Sequence, residues 1–180
     1  MGKKTTERCK ACGNRETLCH VLNNCPIYLE QGRYTWRHDN VLTFIRNSIE
    51  SGLGNDFRMN TDLPPSQTST IPTECTVTNL RPDISIINES AKELYIIELT
   101  VPFDLYAEEA HQRKSNKYTP LVNDIIANGY KVTFFTLEIG SRGFINARNK
   151  TQLKSIHKLF NIKETFKSFL KKTIKNLNYK

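Results

Sequence analysis

The sequence predicts an α/β domain, and the order of its predicted secondary-structure elements is the main observation. Two short apolar runs, residues 84–87 and 94–101, lie on either side of a polar turn and predict a pair of strands. A helical stretch follows them, and residues 130–137 then predict a third strand. Strand, strand, helix and strand in this order indicate a sheet with a crossover connection. A chain of 180 residues is long enough for one such domain with its own core.

Composition and cysteine usage indicate the broad class of protein to which this domain belongs. Hydrophobic residues make up 38% of the chain, and no apolar run approaches the roughly 20 residues of a membrane span. The N-terminal residues lack the apolar core of a signal peptide. We therefore expect a soluble, non-secreted protein with no membrane partner. Five cysteines in such a chain favour a metal site over disulfides.

A cysteine and histidine motif in residues 9–25 predicts a zinc site. Thiolates and an imidazole at these intervals can surround one tetrahedral Zn²⁺. Cys19 is a further candidate, but His20 is preferred because its spacing to the last cysteine allows a short helical return. A segment this small has no core of its own, so we expect the zinc to stabilise its fold. The four predicted ligands are Cys9, Cys12, His20 and Cys25.

Two acids on the predicted strand pair indicate a second metal site. Asp83 opens the first strand, and Glu98 lies inside the apolar run of the second. An acid buried there is costly unless it is paired or coordinates a metal. If the strands pair, both carboxylates converge at one end of the sheet, where they suit Mg²⁺. The alternative is that Asp83 caps a turn and Glu98 forms an internal salt bridge.

Phosphate chemistry at such a site usually also needs a nearby cation. The position two residues after Glu98, which shares its strand face, is Thr100 and cannot provide one. The helical stretch at residues 106–118 supplies Lys114 and Lys117, three residues apart on one face. Either lysine can reach back to the acids, and the alternative is that both are solvated.

Further elements flank the strand pair. Residues 41–49 carry the apolar stripe of a helix. Residues 52–73 predict a long exposed loop, because they are rich in Gly, Pro, Ser and Thr. Residues 73–77 predict a strand with a buried Cys75. The Thr119-Pro120 pair predicts the start of a new helix.

Three histidines are interpreted from their local context. Arg-His-Asp-Asn at residues 37–40 lies at or near the start of a predicted helix, where polar groups cap the helix or face a phosphate. His111 and His157 have no evident partners and are interpreted as ordinary surface or interface residues.

The C-terminal segment carries all of the net charge of +8. Residues 150–180 contain nine lysines and one acid, whereas the rest of the chain has seventeen basic and seventeen acidic residues. Two helices are predicted here, the second starting at a capping box formed by Asn161 and Glu164. Such a basic block suits a polyanion, most simply nucleic acid, with Lys171 and Lys172 as predicted contacts. A solubilising helix face is the alternative.

Together and in this order, the motifs resemble the C-terminal restriction-like endonuclease domain of site-specific non-LTR retrotransposon polyproteins. The run Glu-Leu-Thr-Val-Pro-Phe-Asp at residues 98–104 is the most distinctive piece. The resemblance covers residues 7–143, most of the chain. The other matching pieces are the cysteine and histidine motif with Pro26, Arg37-His38-Asp39, Arg81-Pro82-Asp83, Lys114-x-x-Lys117-Tyr118 and Pro120-Leu121.

The resemblance implies a restriction-endonuclease-like core of the PD-(D/E)XK class, in which helices flank a mixed central sheet. A zinc knuckle would occupy residues 1–33, the nuclease core residues 34–148, and a basic helical segment residues 149–180. The implied activity is Mg²⁺-dependent nicking of double-stranded DNA in the nucleus, so that a reverse transcriptase can prime on the exposed 3′-hydroxyl. Implied partners are the target DNA, the reverse transcriptase region of the same polyprotein and, as a further candidate, the element RNA.

The resemblance also implies roles for individual residues. The zinc would be structural, and the usual acid-x-lysine motif is absent, which leaves the choice of lysine open. A function of a different class is a zinc-knuckle module that binds nucleic acid without cutting it, as in a degenerate or domesticated element. The implied catalytic residues are Asp83, Glu98 and Lys117, with Lys114 as second choice, and the residues implied near the DNA backbone are Arg37, His38 and Arg81.

Overall fold

A four-stranded mixed sheet forms the centre of the protein, in a computed structural model that describes residues 8–65 and 68–177. The strands lie in the sheet in chain order, β1 to β4. The first two neighbouring pairs are antiparallel, and β3 and β4 are parallel. The α/β class predicted from the sequence is therefore confirmed. The strands are β1 (Arg58–Thr61), β2 (Ile84–Asn88), β3 (Glu93–Thr100) and β4 (Lys131–Glu138).

Helices cover both faces of this sheet. Parallel strands need a long crossover, and the 21-residue helix α3 (Ala107–Ala127) provides it between β3 and β4. α3 packs on one face, where its Tyr118, Leu121 and Ile125 meet apolar residues of β2 and β3. The opposite face packs against three other helices. Those helices are α2 (Arg33–Glu50), α4 (Ala147–Leu159) and α5 (Phe166–Lys175), and a short helix α1 (Pro26–Glu30) precedes them.

The hydrophobic core explains why these layers form. Successive strand residues point to opposite faces of a sheet, so β2 presents Ile84 and Ile86 to α2 and its neighbours, and Ile87 to α3. All three isoleucines are essentially inaccessible to solvent. Burying one such side chain contributes about 1.5–3 kcal/mol. No helix within residues 8–65 and 68–177 is both long and apolar enough to cross a membrane.

Two predictions about the segment before β2 are wrong. Strand β1 lies inside the region predicted as a continuous loop, because its backbone pairs with β2 and Asn60 donates a side-chain hydrogen bond of 3.0 Å to the Thr70 carbonyl. Residues 73–77 begin with a turn and contain no strand. In this turn the Cys75 amide donates to the Pro72 carbonyl at 2.9 Å. The predicted burial of Cys75 is confirmed, since only 1% of it is exposed.

The predicted helix break at Thr119-Pro120 is also wrong, because α3 runs continuously through Pro120. Proline lacks the N–H that would bond the carbonyl one turn earlier. Pro120 lies on the exposed side of the helix, where water can satisfy that carbonyl, and Thr119 donates its hydroxyl to the Ser115 carbonyl at 2.7 Å. The buried neighbours Tyr118 and Leu121 hold both halves of the helix against the sheet.

The start of α5 differs from the predicted capping box. Thr165 is the N-cap, and its side chain accepts a hydrogen bond from the Ser168 amide at 3.3 Å. Asn161 instead lies just after α4 with a left-handed backbone conformation, φ +48°. Glu164 accepts a hydrogen bond from the Ser168 hydroxyl and pairs with Lys172 at 2.8 Å. The outer ends of the predicted knuckle and basic segment, residues 1–7 and 178–180, lie outside the described residues.

Candidate functional site

The N-terminal cysteines and histidine lie together in a cluster that could hold a zinc ion. The four ligand atoms all lie within 4.8 Å of one another. Cys9 Sγ is 3.9 Å from Cys25 Sγ, and Cys12 Sγ is 3.2 Å from His20 Nε2. Tetrahedral zinc with Zn–S bonds of about 2.3 Å separates two sulfurs by about 3.8 Å. The donor set and its spacing therefore fit zinc, and the predicted four residues are confirmed as one cluster.

Local backbone structure builds this cluster. Gly13 adopts a left-handed conformation, φ +76°, and its amide donates to the Cys9 carbonyl at 2.8 Å. The amides of Cys12 and Ala11 also lower the pKa of the Cys9 thiol to about 6, which favours the thiolate that binds metal. A π-helical turn at His20–Asn24 forms the predicted short return to Cys25.

Cys19 lies outside the cluster. Its sulfur accepts a hydrogen bond of 3.3 Å from the side-chain amide of Asn24. All five cysteines are free of disulfides, as expected for a metal-binding rather than a disulfide-bonded chain.

Three side chains attach the cluster to the rest of the protein. The Tyr34 hydroxyl, on α2, accepts a hydrogen bond from the Cys25 amide at 2.9 Å. Arg37, also on α2, donates to the Leu22 carbonyl at 2.8 Å. Asn23 donates to the carbonyl of Val101, just beyond β3, at 3.0 Å. The cluster is therefore fixed to the end of β3.

The two predicted acids meet at one end of the sheet. Asp83 directly precedes β2, and Glu98 in β3 follows Ile97, the residue that pairs with Ile84. Only 8% of Asp83 and 2% of Glu98 is exposed. Glu98 Oε2 accepts a hydrogen bond of 3.3 Å from the Asp83 amide, and Asp83 Oδ2 accepts one of 2.6 Å from the Leu99 amide. The strand pairing thus brings the acids together as the sequence predicts.

Helix α3 brings a lysine to these acids. The Lys114 ammonium donates a hydrogen bond to Glu98 Oε1. Lys117, one turn further along, donates to the Tyr118 hydroxyl at 3.2 Å, and that hydroxyl donates to the Arg81 carbonyl at 3.1 Å. Direct contact with an acid is therefore made by Lys114, the second choice from the sequence, whereas Lys117 lies close enough to act on Glu98 by its charge alone.

Burial and charge perturb the Glu98 carboxyl. Burial raises its pKa, and the charge of Asp83 raises it further. Lys114 and Lys117 oppose this effect, but the net pKa of Glu98 remains above its usual range. An added cation would favour the ionised form of this carboxylate.

His38 completes the site from the opposite layer. Its Nε2 is 3.4 Å from Asp83 Oδ2 and 3.3 Å from the Leu99 carbonyl, and its Nδ1 is 3.0 Å from Asp39 Oδ1. Burial alone lowers the pKa of His38, but hydrogen bonds and charges from Asp83 and Asp39 outweigh it and raise the pKa to about 9. The sequence indicated no contact between His38 and Asp83, because these residues belong to different elements.

The other residues predicted near DNA lie elsewhere. Helix α2 begins at Arg33, earlier than predicted, so Arg37 and His38 lie within the helix rather than at its N-terminus. Arg37 donates its hydrogen bond to the Leu22 carbonyl, which belongs to the zinc-site segment. Arg81 pairs with Asp62 at the end of β1. Lys171 and Lys172 are exposed on α5, which lies on the opposite face of the sheet from α3.

A second buried polar cluster was not expected from the sequence. Glu138 ends β4 with only 1% exposed, and Arg148 Nη2 of α4 is 3.3 Å from its Oε2. His111 Nδ1 lies 2.7 Å from the Thr136 hydroxyl and 3.4 Å from Glu138 Oε1. The expectation that His111 lacks partners is therefore wrong. It is also wrong for His157, whose Nε2 is 2.7 Å from the Glu164 carbonyl.

Comparison with known proteins gives no family assignment. No protein-family model matches the chain, and no curated protein matches it closely enough to count as a relative. The function of this protein is therefore inferred from the geometry of the site and from the chemistry of its residues.

Proposed function

We propose that this protein is a metal-dependent endonuclease that nicks double-stranded DNA. The observation that carries the proposal is the convergence of Asp83, Glu98 and Lys114 at one end of the sheet. Two carboxylates and a lysine at neighbouring positions match what hydrolysis of a phosphodiester requires. The fold has the mixed sheet between helical layers that a restriction-like core would need.

The two carboxylates would hold Mg²⁺. Carboxylate oxygens are the ligands that this ion prefers, and a bound Mg²⁺ supplies a Lewis acid and lowers the pKa of its bound water. The raised pKa of Glu98 fits such a role. Burial and the charge of Asp83 destabilise the ionised carboxylate, and a bound Mg²⁺ would stabilise it.

The surrounding residues have distinct tasks in this proposal. Lys114 holds Glu98 in position and presents a positive charge where charge develops on the phosphate. His38 fixes the orientation of Asp83 through Nε2 and is itself fixed by Asp39. The zinc cluster would be structural, because Asn23 and Arg37 connect it to β3 and α2.

DNA binding is the second part of the proposal. The net charge of +8 lies in residues 150–180, and a lysine-rich surface attracts the phosphate backbone. Lys171, on the exposed side of α5, belongs to this surface. We infer that the nick serves target-primed reverse transcription in the nucleus, with the reverse transcriptase region of the same polyprotein and the element RNA as partners.

A second candidate is a module that binds nucleic acid without cutting it. It is favoured by one observation: Glu98 is paired with Lys114, and Asp83 with His38, so each acid has a cationic or hydrogen-bonding partner within the protein itself. Ion pairs of this kind also occur as purely structural elements.

Nicking of supercoiled plasmid separates the two candidates. The zinc-loaded protein is incubated with and without Mg²⁺, beside Asp83→Asn and the matched control Asp56→Asn, which changes an exposed acid. The nuclease proposal expects Mg²⁺-dependent nicking by the wild type and the control, and none by Asp83→Asn. Plasmid binding without nicking under every condition would favour the binding module.

A further inference from the structure

A cleft of about 400 Å³ opens at the end of β3, near the start of α3. Three parts of the protein line it: Asn23 and Asn24 at the end of the zinc cluster, residues 100–103 after Glu98, and the start of α3. Its volume lies within the range of about 300–1,000 Å³ that is usual for small-molecule sites.

Two residues of the cleft wall lie close to the proposed catalytic residues along the chain. Thr100, in its wall, lies two residues after Glu98 and therefore on the same face of β3. Arg113, also in its wall, directly precedes Lys114 in α3. A ligand that contacts Thr100 would therefore lie about one two-residue strand step, roughly 7 Å, from Glu98.

Several polar atoms of the wall lack partners within the described part of the protein. The side-chain oxygens of Asn23 and Thr100 are buried without a hydrogen bond to any described residue. Buried polar atoms are nearly always hydrogen-bonded, so such a pair indicates an enclosed water behind the cleft wall. Arg113 is exposed and makes no ion pair or hydrogen bond within residues 8–65 and 68–177.

Aromatic surface and charge indicate what kind of ligand fits. Tyr106 borders the cleft with 51% of its surface exposed, so about half of this residue is accessible to a ligand. Exposed tyrosine rings are the usual platform for a nucleobase that has left the base stack. Arg113 supplies a cation for a phosphate, and Glu109, also at the rim, can accept a hydrogen bond from an exocyclic amino group.

We propose that this cleft holds one unstacked nucleotide adjoining the phosphate that is cut. The base stacks on Tyr106, and its phosphate meets Arg113. The inference rests on the proposed function and deepens it, because it names the part of the DNA that the site recognises next to the break.

Photocrosslinking with an inactive full-length protein tests this proposal. Asp83→Asn protein is bound to duplex DNA that carries a nick and a single 5-iododeoxyuridine, placed in turn at each position flanking the nick. Irradiation joins the modified base to an aromatic ring in stacking contact, and peptide mass spectrometry identifies the residue. We expect one flanking position to crosslink to Tyr106, and the others to crosslink at least about tenfold less.

Variants in the same background separate a stacking role from a folding role. Tyr106→Ala should lose the crosslink and weaken binding of the nicked duplex by about tenfold, the scale of one base stack. Tyr106→Phe should retain both. The matched control is Leu105→Ala, which changes the neighbouring residue, 81% exposed and outside the cleft wall. It should behave like the parent.

The outcomes distinguish failure of the cleft proposal from failure of the nuclease proposal. If wild-type protein nicks plasmid and the DNA crosslinks only outside residues 100–113, the cleft proposal is overturned and the nuclease proposal stands. If the protein neither binds nor nicks DNA, both are overturned. Equal crosslinking by Tyr106→Ala and its parent would also overturn the assignment of the stacking ring.

Discussion

The ammonium group of Lys114 donates a hydrogen bond to Glu98, a buried carboxylate on the neighbouring strand, although the two residues are 16 positions apart. Lys114 belongs to the crossover helix α3 and Glu98 to β3, so the contact depends on how the helix packs against the sheet. Only 3% of the Glu98 side chain is exposed, which shields the pair from solvent.

The first prediction distinguishes the two lysines. Lys114→Ala should lower the rate of Mg²⁺-dependent nicking by about 10²–10³, the usual loss for one electrostatic group at a reacting centre. Lys117→Ala should lower it much less, because Lys117 contacts Tyr118 rather than an acid. Single-turnover nicking of supercoiled plasmid measures both rates. Reversal of this order would assign the catalytic role to Lys117, the first choice from the sequence.

The second prediction concerns zinc. Purified protein should contain about one zinc per chain, as a single four-ligand site requires. Cys12→Ser should lose it, whereas Cys75→Ser, which removes a buried thiol far from the cluster in sequence, should keep it. Metal analysis by mass spectrometry gives the stoichiometry. Full zinc retention by Cys12→Ser is incompatible with the assignment.

The third prediction concerns the pH dependence of stability through His38. Its pKa is raised to about 9 in the folded protein, above the ordinary value of about 6.5. The stabilisation is therefore complete below about pH 6.5 and is lost as the pH rises through 9. His38→Gln should lower the free energy of unfolding by about 1.5–3 kcal/mol at pH 6, the scale of a hydrogen bond to a charged group.

Chemical denaturation in Mg²⁺-free buffer measures this effect at several pH values. The difference between His38→Gln and wild type should shrink as the pH approaches 9, and NMR titration of the imidazole should show the same midpoint. A difference that is constant from about pH 6 to 9.5 would mean that the charge of His38 does not stabilise the fold.

The fourth prediction concerns the lysines of the C-terminal segment. Deleting residues 162–180 would remove Phe169 and Leu177 from the core, so charge substitution is the sharper test. Replacing the exposed Lys163, Lys167 and Lys171 by Gln should reduce the slope of log affinity against log salt by about 0.9 for each phosphate that these lysines neutralise. Filter binding of non-specific duplex DNA measures the slope.

A charge-matched control accompanies this variant. Replacing Lys10, Lys92 and Lys131 by Gln removes the same number of exposed lysines from other surfaces of the protein. Only the C-terminal variant should flatten the salt dependence. Equal slopes for the two variants would mean that binding reflects net charge rather than this surface.

Some parts of the fold were predictable because local pattern determines them. The strands around Asn88 alternate between two buried faces, and the spacing of Cys9, Cys12, His20 and Cys25 leaves few arrangements other than a single metal cluster. β1 was not predictable. Its four residues contain a single apolar side chain, Met59. They form a strand only because their backbone pairs with the edge of β2.

The composition of the acid site was partly predictable for the same reason. Asp83 and Glu98 are close in sequence, and strand pairing alone brings them together. The choice of Lys114 depends on the rotation of α3, and the position of His38 on the placement of α2. Both are properties of tertiary packing that no local pattern contains. The continuation of α3 through Pro120 has the same origin, since burial on both sides of the proline outweighs its local effect.

The most direct test of the central claim compares two buried acids by the same isosteric change. Glu98→Gln and Glu138→Gln each replace a carboxylate that is at most 2% exposed, but Glu138 pairs with Arg148, whereas Glu98 pairs with Lys114. Mg²⁺-dependent nicking is measured beside duplex DNA binding. Glu98→Gln should abolish nicking while keeping DNA binding, and Glu138→Gln should nick within a few-fold of wild type. Nicking by Glu98→Gln at the wild-type rate would contradict the proposal that Glu98 holds the catalytic metal.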